Sequence, residues 1–422
     1  MIAFFFQRLI SSRRDSNYVI PSPEIASHRL IAAALDFFEA AIDARIQGMS
    51  EVQAKDWMVR ILGALCANFT MIAAYSTNED SAAEVFETLN DRGIGLSTPD
   101  LLRNLVIRRA AANQQDEIVE QWESVVSFQT DGEIKAFLRH FWISKYGDVK
   151  SQSLYREMKS RILDEDISSI ALSTELSDAA HLYRRLKRAE DDNEEIAEQL
   201  AVVSDLGAGA TILYPAIISI FQALPAEQVL IPLTAVLNIF VRDGIISSVE
   251  NSVLENKFYR AARNLRDHHD VSIFCAEIAA GALSDDDVRN RFSRLSLTQN
   301  GQRRYLLRCI EIAKRATSEL NVNPPSKVHV EHIYPQTPQA GARWANHERV
   351  INRIGNLSLL DKRINSAIRN AGFAAKKVHY NGSELLITKE LCDLDDWSDA
   401  RIAVRQEAFA NLAPTIWPII IP

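Results

Sequence analysis

A run near the C-terminal end, KVHVEHIYPQTP (Lys327 to Pro338), sets a glutamate beside a histidine in an alternating, strand-like pattern. Glu331 and His332 are followed by Asn356 and, nine positions after that, by Asn365. Hydrolysis of a phosphodiester needs an activated water, charge stabilisation on the phosphate and help for the departing oxygen. A histidine base, one hard divalent ion on oxygen ligands and a residue that orients the histidine can supply all three. In that division His332 is the candidate base and Glu331 the carboxylate for a Mg2+ or Mn2+ ion. Asn365 is a second oxygen ligand, and Asn356 is the orienting amide, through its side chain or its backbone.

Local charge points the same way. Between Lys327 and Lys377 there are nine basic residues and three acids (Glu331, Glu348, Asp361), inside a chain whose formal net charge is −8. A basic island in an acidic chain is where a phosphate backbone docks. Arg343, Arg353, Lys362, Arg363, Arg369, Lys376 and Lys377 are therefore the candidate nucleic-acid contacts.

These residues need elements to position them. VHVEHI alternates as a strand, NLSLL (Asn356 to Leu360) is a second strand, and DKRINSAIRN is a short helix with Asp361 as its cap. Adjacent strand residues point to opposite faces, so Glu331 and His332 share a site only if the strand ends or twists between them. Tyr334-Pro335 is the expected stop, because proline cannot continue a central strand. Asn381-Gly382 marks a further turn. A proline-led linker, NVNPPSK from Asn321, separates this compact unit from what precedes it.

Upstream the chain reads as helix after helix. HRLIAAALDFFEAAIDARI places Leu30, Ile31, Leu35, Phe38 and Ile42 on one face, and EVQAKDWMVRILGALCANFTMIAAY repeats the pattern. Two more amphipathic helices flank the acidic run Glu190 to Glu195, which is read as a solvated loop. Thr98 is expected to cap a helix with Pro99 at its first position and Asp100 in its first turn. GAGATI lacks the third glycine and any following Gly-Lys-Ser/Thr, so it is a helix–helix turn rather than a phosphate loop.

Other candidates carry less. His329 lies two residues before Glu331 and is read as supporting or exposed rather than as a ligand. The pair in RDHHD diverges in direction and reads as a helix end. His347 and His379 have no definable role, and Trp344, Trp397 and Trp417 are read as core anchors. The four cysteines lie far apart with no C-x-x-C pair, which excludes a cysteine zinc knuckle and fits a reducing cytoplasm. VLIPLTAVLNIFV (Val229 to Val241) is too short to span a bilayer and is read as a buried helix, so no membrane partner is expected.

Two stretches resemble known families. FETLNDRGIGLSTPDLLRN carries Phe86, Leu89, Asn90, Gly93, Leu96, Asp100, Leu101 and Asn104 where the DUF262 family has its closing signature. That family's upstream DGQQR segment is missing, so the expectation is the distal part of such a domain, completed by a partner chain or domain. VEHIYPQ, Trp344, IGNLSLL, Asn365 and F-x-x-K (Phe373, Lys376), with Trp397, Ile402, Arg405 and Trp417 beyond, resemble the DUF1524 family, a branch of the HNH (ββα-metal) nucleases. The resemblance implies His332 as general base, Glu331 and Asn365 at the metal, and Asn356 as the middle HNH residue. The pairing of the two families is that of GmrSD-type, modification-dependent restriction and phage-defence proteins.

The expected fold is thus mainly α, a long helical body with a small C-terminal ββα-metal domain. The expected divisions are 1–110 (DUF262-like), 111–320 (helical middle) and 321–422 (nuclease). The expected function is metal-dependent cleavage of DNA, with or without a modified base, in the cytoplasm. The alternative is an inactive HNH scaffold that binds DNA or assembles a complex.

Overall fold

The computed structural model describes residues 26–69, 97–128, 130–315 and 327–422. The chain divides into two compact units, residues 1–89 and 90–422. The first contains α1 (Ala26–Ile46) and α2 (Glu51–Asn68). Ser50 starts α2 with a reciprocal capping box, its hydroxyl accepting from Gln53 N while the Gln53 amide accepts from Ser50 N. The expected apolar face of α1 is exposed, with Leu30, Phe38 and Ile42 open to solvent. Most of the DUF262-like signature, from Phe86 to Leu96, lies outside the described residues; Asp100, Leu101 and Asn104 lie within them.

The second unit begins with α3 (Thr98–Arg109), α4 (Gln115–Val125), α5 (Asp131–Tyr146) and α6 (Leu154–Asp164). Ser97, not Thr98, caps α3: its hydroxyl accepts from Asp100 N and the Asp100 carboxylate returns to Ser97 N. The acid three residues on makes Ser97 the better partner, which moves Pro99 into the first turn. Then come α7 (Ser169–Arg188), α8 (Glu194–Leu206), α9 (Tyr214–Ala223), α10 (Leu230–Ile239), α11 (Asn251–His268) and α12 (Val271–Ala279). The acidic run spans the α7–α8 loop and, at Glu194 and Glu195, the first turn of α8, and GAGATI forms the turn before α9.

The apolar run differs in length from its sequence reading. Helix continues from Ala226 to Ile246, long and apolar enough by composition to cross a membrane, and its residues are mostly buried inside the unit. A wide-turn segment, Phe240–Ile246, extends it and buries two charges. Arg242 donates to the carbonyls of Leu283 and Trp417 and to Asp285, and Asp243 pairs with Lys257. Buried charges survive only when paired in this way. In RDHHD, His268 ends α11, His269 adopts a left-handed backbone (φ 54°) and Asp270 caps α12, a helix end as expected.

The C-terminal part contains α13 (Asp285–Phe292), α14 (Asn300–Arg315), β1 (Val328–His332), α15 (His347–Val350), β2 (Leu357–Asp361), α16 (Lys362–Ile368), α17 (Phe373–Tyr380), α18 (Leu386–Lys389) and α19 (Asp399–Ile416). The strands form an antiparallel pair, and among the described residues they are the whole sheet. Val328, Leu357 and Leu359 join the core of the helical body, whereas Leu360 joins a smaller cluster with Ile333, Tyr334, Tyr380, Trp397 and Ile402. β2 is apolar on both faces because it lies between these two cores, each fully buried leucine contributing about 1.5–3 kcal/mol.

Close packing of α19 fixes the start of β2. A Cβ on Gly355 would sit 2.3 Å from the carbonyl oxygen of Ile402, so only glycine admits this approach. Gln406 accepts from Gly355 N and from Arg353, and donates to the carbonyls of Phe292 and Leu295. Arg405 donates to the carbonyls of Gly355 and Leu357.

Candidate nuclease site

The ladder pairs His329 with Leu360, Glu331 with Ser358 and His332 with Leu357, without interruption. Ile333 N then donates to the Asn356 carbonyl at 3.0 Å, which carries the pairing one residue further. The expected break between Glu331 and His332 does not occur. Pro335 comes two residues too late, and every ladder bond before it is made. By the pleat, Glu331 lies on the face of Leu360 and α17, and His332 on the face of Val330 and Leu357, toward the helical body.

Glu331 is buried (4% exposed) and its Oε1 accepts from Lys376 Nζ at 2.6 Å and from the Tyr380 hydroxyl at 3.0 Å. Burial raises its pKa, opposed by the Lys376 charge and by these bonds. Lys376 is itself buried and its pKa is lowered by that burial, opposed by Glu331; its Nζ also donates to the His332 carbonyl at 2.6 Å. Lys376 is on one face of α17 with Tyr380, four residues on, so a single helix delivers both partners to the carboxylate.

The His332 ring is mostly buried, and its Nε2 has no hydrogen-bond partner. Burial, then the charges of Arg303 and Lys376, lower its pKa to about 4, while a hydrogen bond to the Asn352 side chain raises it. At neutral pH the ring is uncharged. An orphaned buried ring nitrogen is uncommon in folded proteins and calls for an explanation.

Asn356, expected to orient the histidine through its side chain or its backbone, is fully buried. Its Oδ1 accepts from Tyr334 N (2.9 Å) and from Trp397 Nε1 (3.0 Å), and its Nδ2 donates to the carbonyls of Tyr334 and Ile351 (both 3.1 Å). The amide is fully used in fastening the loop after β1, and it does not orient the His332 ring. Asn365, on α16, lies half-buried with its Nδ2 3.5 Å from the Val330 carbonyl.

Glu331, His332, Asn365 and Lys376 line one polar cleft of about 210 Å³, with Pro335, Gln336, Arg369 and Asn370 completing its wall. Glu331 and Asn365 are thus brought together, and His332 reaches the same cleft, where its carbonyl meets Lys376. Among the described residues no group of three or more His, Cys, Asp or Glu side chains could hold a metal. One carboxylate and one amide are hard oxygen donors of the kind a Mg2+-class ion takes, since that ion keeps several waters and accepts further ligands from a phosphate. The donor set fits such an ion, with the Lys376 ammonium competing for the same carboxylate.

The basic island is partly spent inside the protein. Lys376 is buried on Glu331, and Lys377 donates to the Leu394 carbonyl. Arg353 donates to Gln406 and the Ser293 carbonyl. Lys376 is buried and Arg353 and Lys377 are half-buried, so part of the island's charge is spent on contacts within the protein. Arg343 pairs with Glu348 on the surface, and Arg363 is almost fully exposed beside Asp361. Lys362 and Arg369 are exposed, and Arg369 reaches the cleft.

Sequence reasoning missed the pairing of Tyr380 with Glu331 and the place of His347, which is buried with Nδ1 3.0 Å from the Tyr334 hydroxyl. The Lys376–Tyr380 spacing was a legible signal once Phe373 to Tyr380 is drawn as a helix; His347 gave none.

A two-stranded ribbon followed by a short helix thus brings a buried carboxylate, an amide and a histidine to one polar cleft beside a helical body. Residues 283–412 match the family model of the GmrSD restriction endonucleases, C-terminal domain, and this segment belongs to that domain family. The match begins ahead of residue 321 and so takes in α13 and α14, which pack on α19 and β2. No curated protein matches the chain.

Proposed function

We propose that this protein is a metal-dependent DNA endonuclease of HNH type, working in a modification-dependent restriction or phage-defence system in the cytoplasm. The observation that carries the reading is the polar cleft shared by Glu331, Asn365, His332 and Lys376 within the segment matched to a restriction endonuclease domain. Glu331 and Asn365 would hold the ion, which when bound supplies charge stabilisation at the phosphate and at the leaving oxygen.

The chain's own residues do the rest. Arg369, at the mouth of the cleft, attracts the phosphodiester. Lys376 fixes the Glu331 carboxylate in one orientation through an ammonium that also grips the β1 backbone at His332. His332 is neutral above about pH 4, so its unpartnered Nε2 is able to take a proton from water once the ring turns toward the cleft.

One observation favours a second reading, a scaffold that binds DNA without cutting it. The Glu331 Oε1 is already occupied by Lys376 and Tyr380, and the His332 ring faces the helical body. Incubating supercoiled plasmid with the full chain and Mg2+ or Mn2+ separates the two. Nicking that is lost in His332→Ala and in Glu331→Gln supports the nuclease; DNA binding without nicking supports the scaffold.

A further inference from the structure

A second cavity adjoins the polar cleft and differs from it in chemistry. About 190 Å³ in volume, it is walled by four rings, Tyr334, Trp344, Phe373 and Trp397, with the amides of Gln339 and Asn370 at its edge. No charged side chain lines it. Pro335 and Asn370 line both cavities, so the two lie side by side.

The rings are paired and held. Tyr334 and Trp344 stack with centroids 4.0 Å apart and planes 8° from parallel; Phe373 and Trp397 stack at 5.5 Å and 25°. The Tyr334 hydroxyl is fixed by Trp344 N (2.9 Å) and by the His347 ring, and Trp397 Nε1 is fixed by Asn356. Asn356 therefore ties one wall to the other, through Tyr334 N on one side and the Trp397 indole on the other. This gives its buried amide a purpose that orienting His332 does not. Trp344 and Phe373 remain half-buried, and Gln339 and Asn370 are exposed.

A preformed aromatic slot with a neutral amide edge suits a planar apolar guest that carries donors and acceptors on its rim. The neighbouring cleft has Arg369 exposed in its wall, a charge that suits an anion, while Lys376 is held by Glu331. A flat heterocycle beside a phosphate is the composition of one nucleotide. We propose that the aromatic cavity receives a single unstacked nucleobase from the strand whose phosphate lies in the polar cleft. The proposal rests on the reading that this protein acts on DNA. Trp344 and Trp397, which the sequence presents as core anchors, are on this account the walls of a base pocket.

The test uses the full chain as His332→Ala, with and without Trp344→Leu, and fluorescent single-stranded octanucleotides in which one base at a time is replaced by an abasic site. Single strands remove the cost of unpairing. Stacking on an aromatic ring strengthens binding roughly tenfold to a hundredfold per base. Trp344→Leu is expected to raise Kd for the intact oligonucleotide by about that factor. One abasic position is expected to cost as much, with no additional loss when both changes are combined. Thermal melting of Phe373→Ala, a second wall variant with the same expected binding loss, guards against a misfolded Trp344→Leu protein. Losses that simply add at every position, or wall variants that bind as tightly as their parent, overturn the proposal. Plasmid nicking by the unmutated chain is scored separately. Base-dependent binding without nicking counts against the nuclease alone, and nicking with base-independent binding counts against the pocket alone.

Discussion

Lys376 holds its Nζ 2.6 Å from Oε1 of Glu331, with side-chain exposures of 1% and 5%, so the centre of the candidate site is a buried ion pair. Breaking such a pair from one side leaves an uncompensated buried charge, which costs about 3–5 kcal/mol, whereas replacing both partners is often close to neutral. Lys376→Met is therefore expected to lower the stability of the second unit by about that amount. The double variant Glu331→Gln, Lys376→Met is expected to regain most of it. Urea unfolding of the four proteins in the cycle measures the coupling; simple additivity would show that the pair does not act as a unit.

Asn356 offers a sharper structural test. Its Nδ2 faces two carbonyls, of Tyr334 and Ile351, and an aspartate there would set an oxygen against both. Asn356→Asp is expected to destabilise the protein by at least about 2 kcal/mol, and more than Asn356→Ala does, because it buries a charge as well as losing donors. A lowered melting temperature in both variants, with Asp the worse, is the expected result. An Asn356→Asp protein that melts like the unmutated chain would contradict the bonding described.

The pH dependence of stability has a defined sign. His332 and His140 are both depressed to about pH 4, in each case first by burial. In the unfolded chain an ordinary histidine takes its proton near pH 6.5 (about that value for model peptides). As pH falls from there toward 4, the unfolded chain gains protons that the folded chain refuses. Stability present above about pH 6.5 is thus lost across this window, by up to about 3 kcal/mol for each ring. Melting temperature followed from pH 7.5 to 4.5 is expected to fall, and less steeply in His140→Gln.

Of the seven candidate DNA contacts, we propose that those whose charges face water, Arg343 among them, are the ones that meet the backbone. Lys362, Arg363 and Arg369 are exposed on α16 and its end, whereas Arg353 and Lys376 are structural. Replacing Arg363 or Arg369 with glutamine is expected to weaken DNA binding and to reduce the slope of log K against log salt by about 1 each, since each phosphate contact releases about one counterion. Arg353→Gln is expected to lower the melting temperature instead. Titrations at several salt concentrations, set beside melting curves, distinguish the two classes.

Much of this was legible in the sequence because it is local. The alternation around Glu331, the apolar NLSLL strand, the Asp361 cap and the helical body all follow from periodicity and turn chemistry over a few residues, and each appears in the structure. Burial was less legible. Nothing in the run from Lys327 to Lys377 shows that Lys376 turns inward onto Glu331 while Arg363 turns out, because that depends on which face of α17 meets β1. The cap at Ser97 escaped because two adjacent residues, Ser97 and Thr98, are equally good caps until the reach of Asp100 is known. Asn356 was placed by order in a motif, and its four bonds to Tyr334, Ile351 and Trp397 cross up to 41 positions of sequence. The Glu331–His332 division is a matter of register, which the sequence posed as a question and the unbroken ladder answered.

The central claim is that the cleft at Glu331 and His332 cuts DNA. Its most direct measurement is the rate at which the full chain nicks supercoiled plasmid in Mn2+, beside a His332→Ala protein shown to melt cooperatively. Loss of a general base is expected to slow cleavage by about 10²–10⁴-fold. A folded His332→Ala protein that nicks at the unmutated rate would contradict the account.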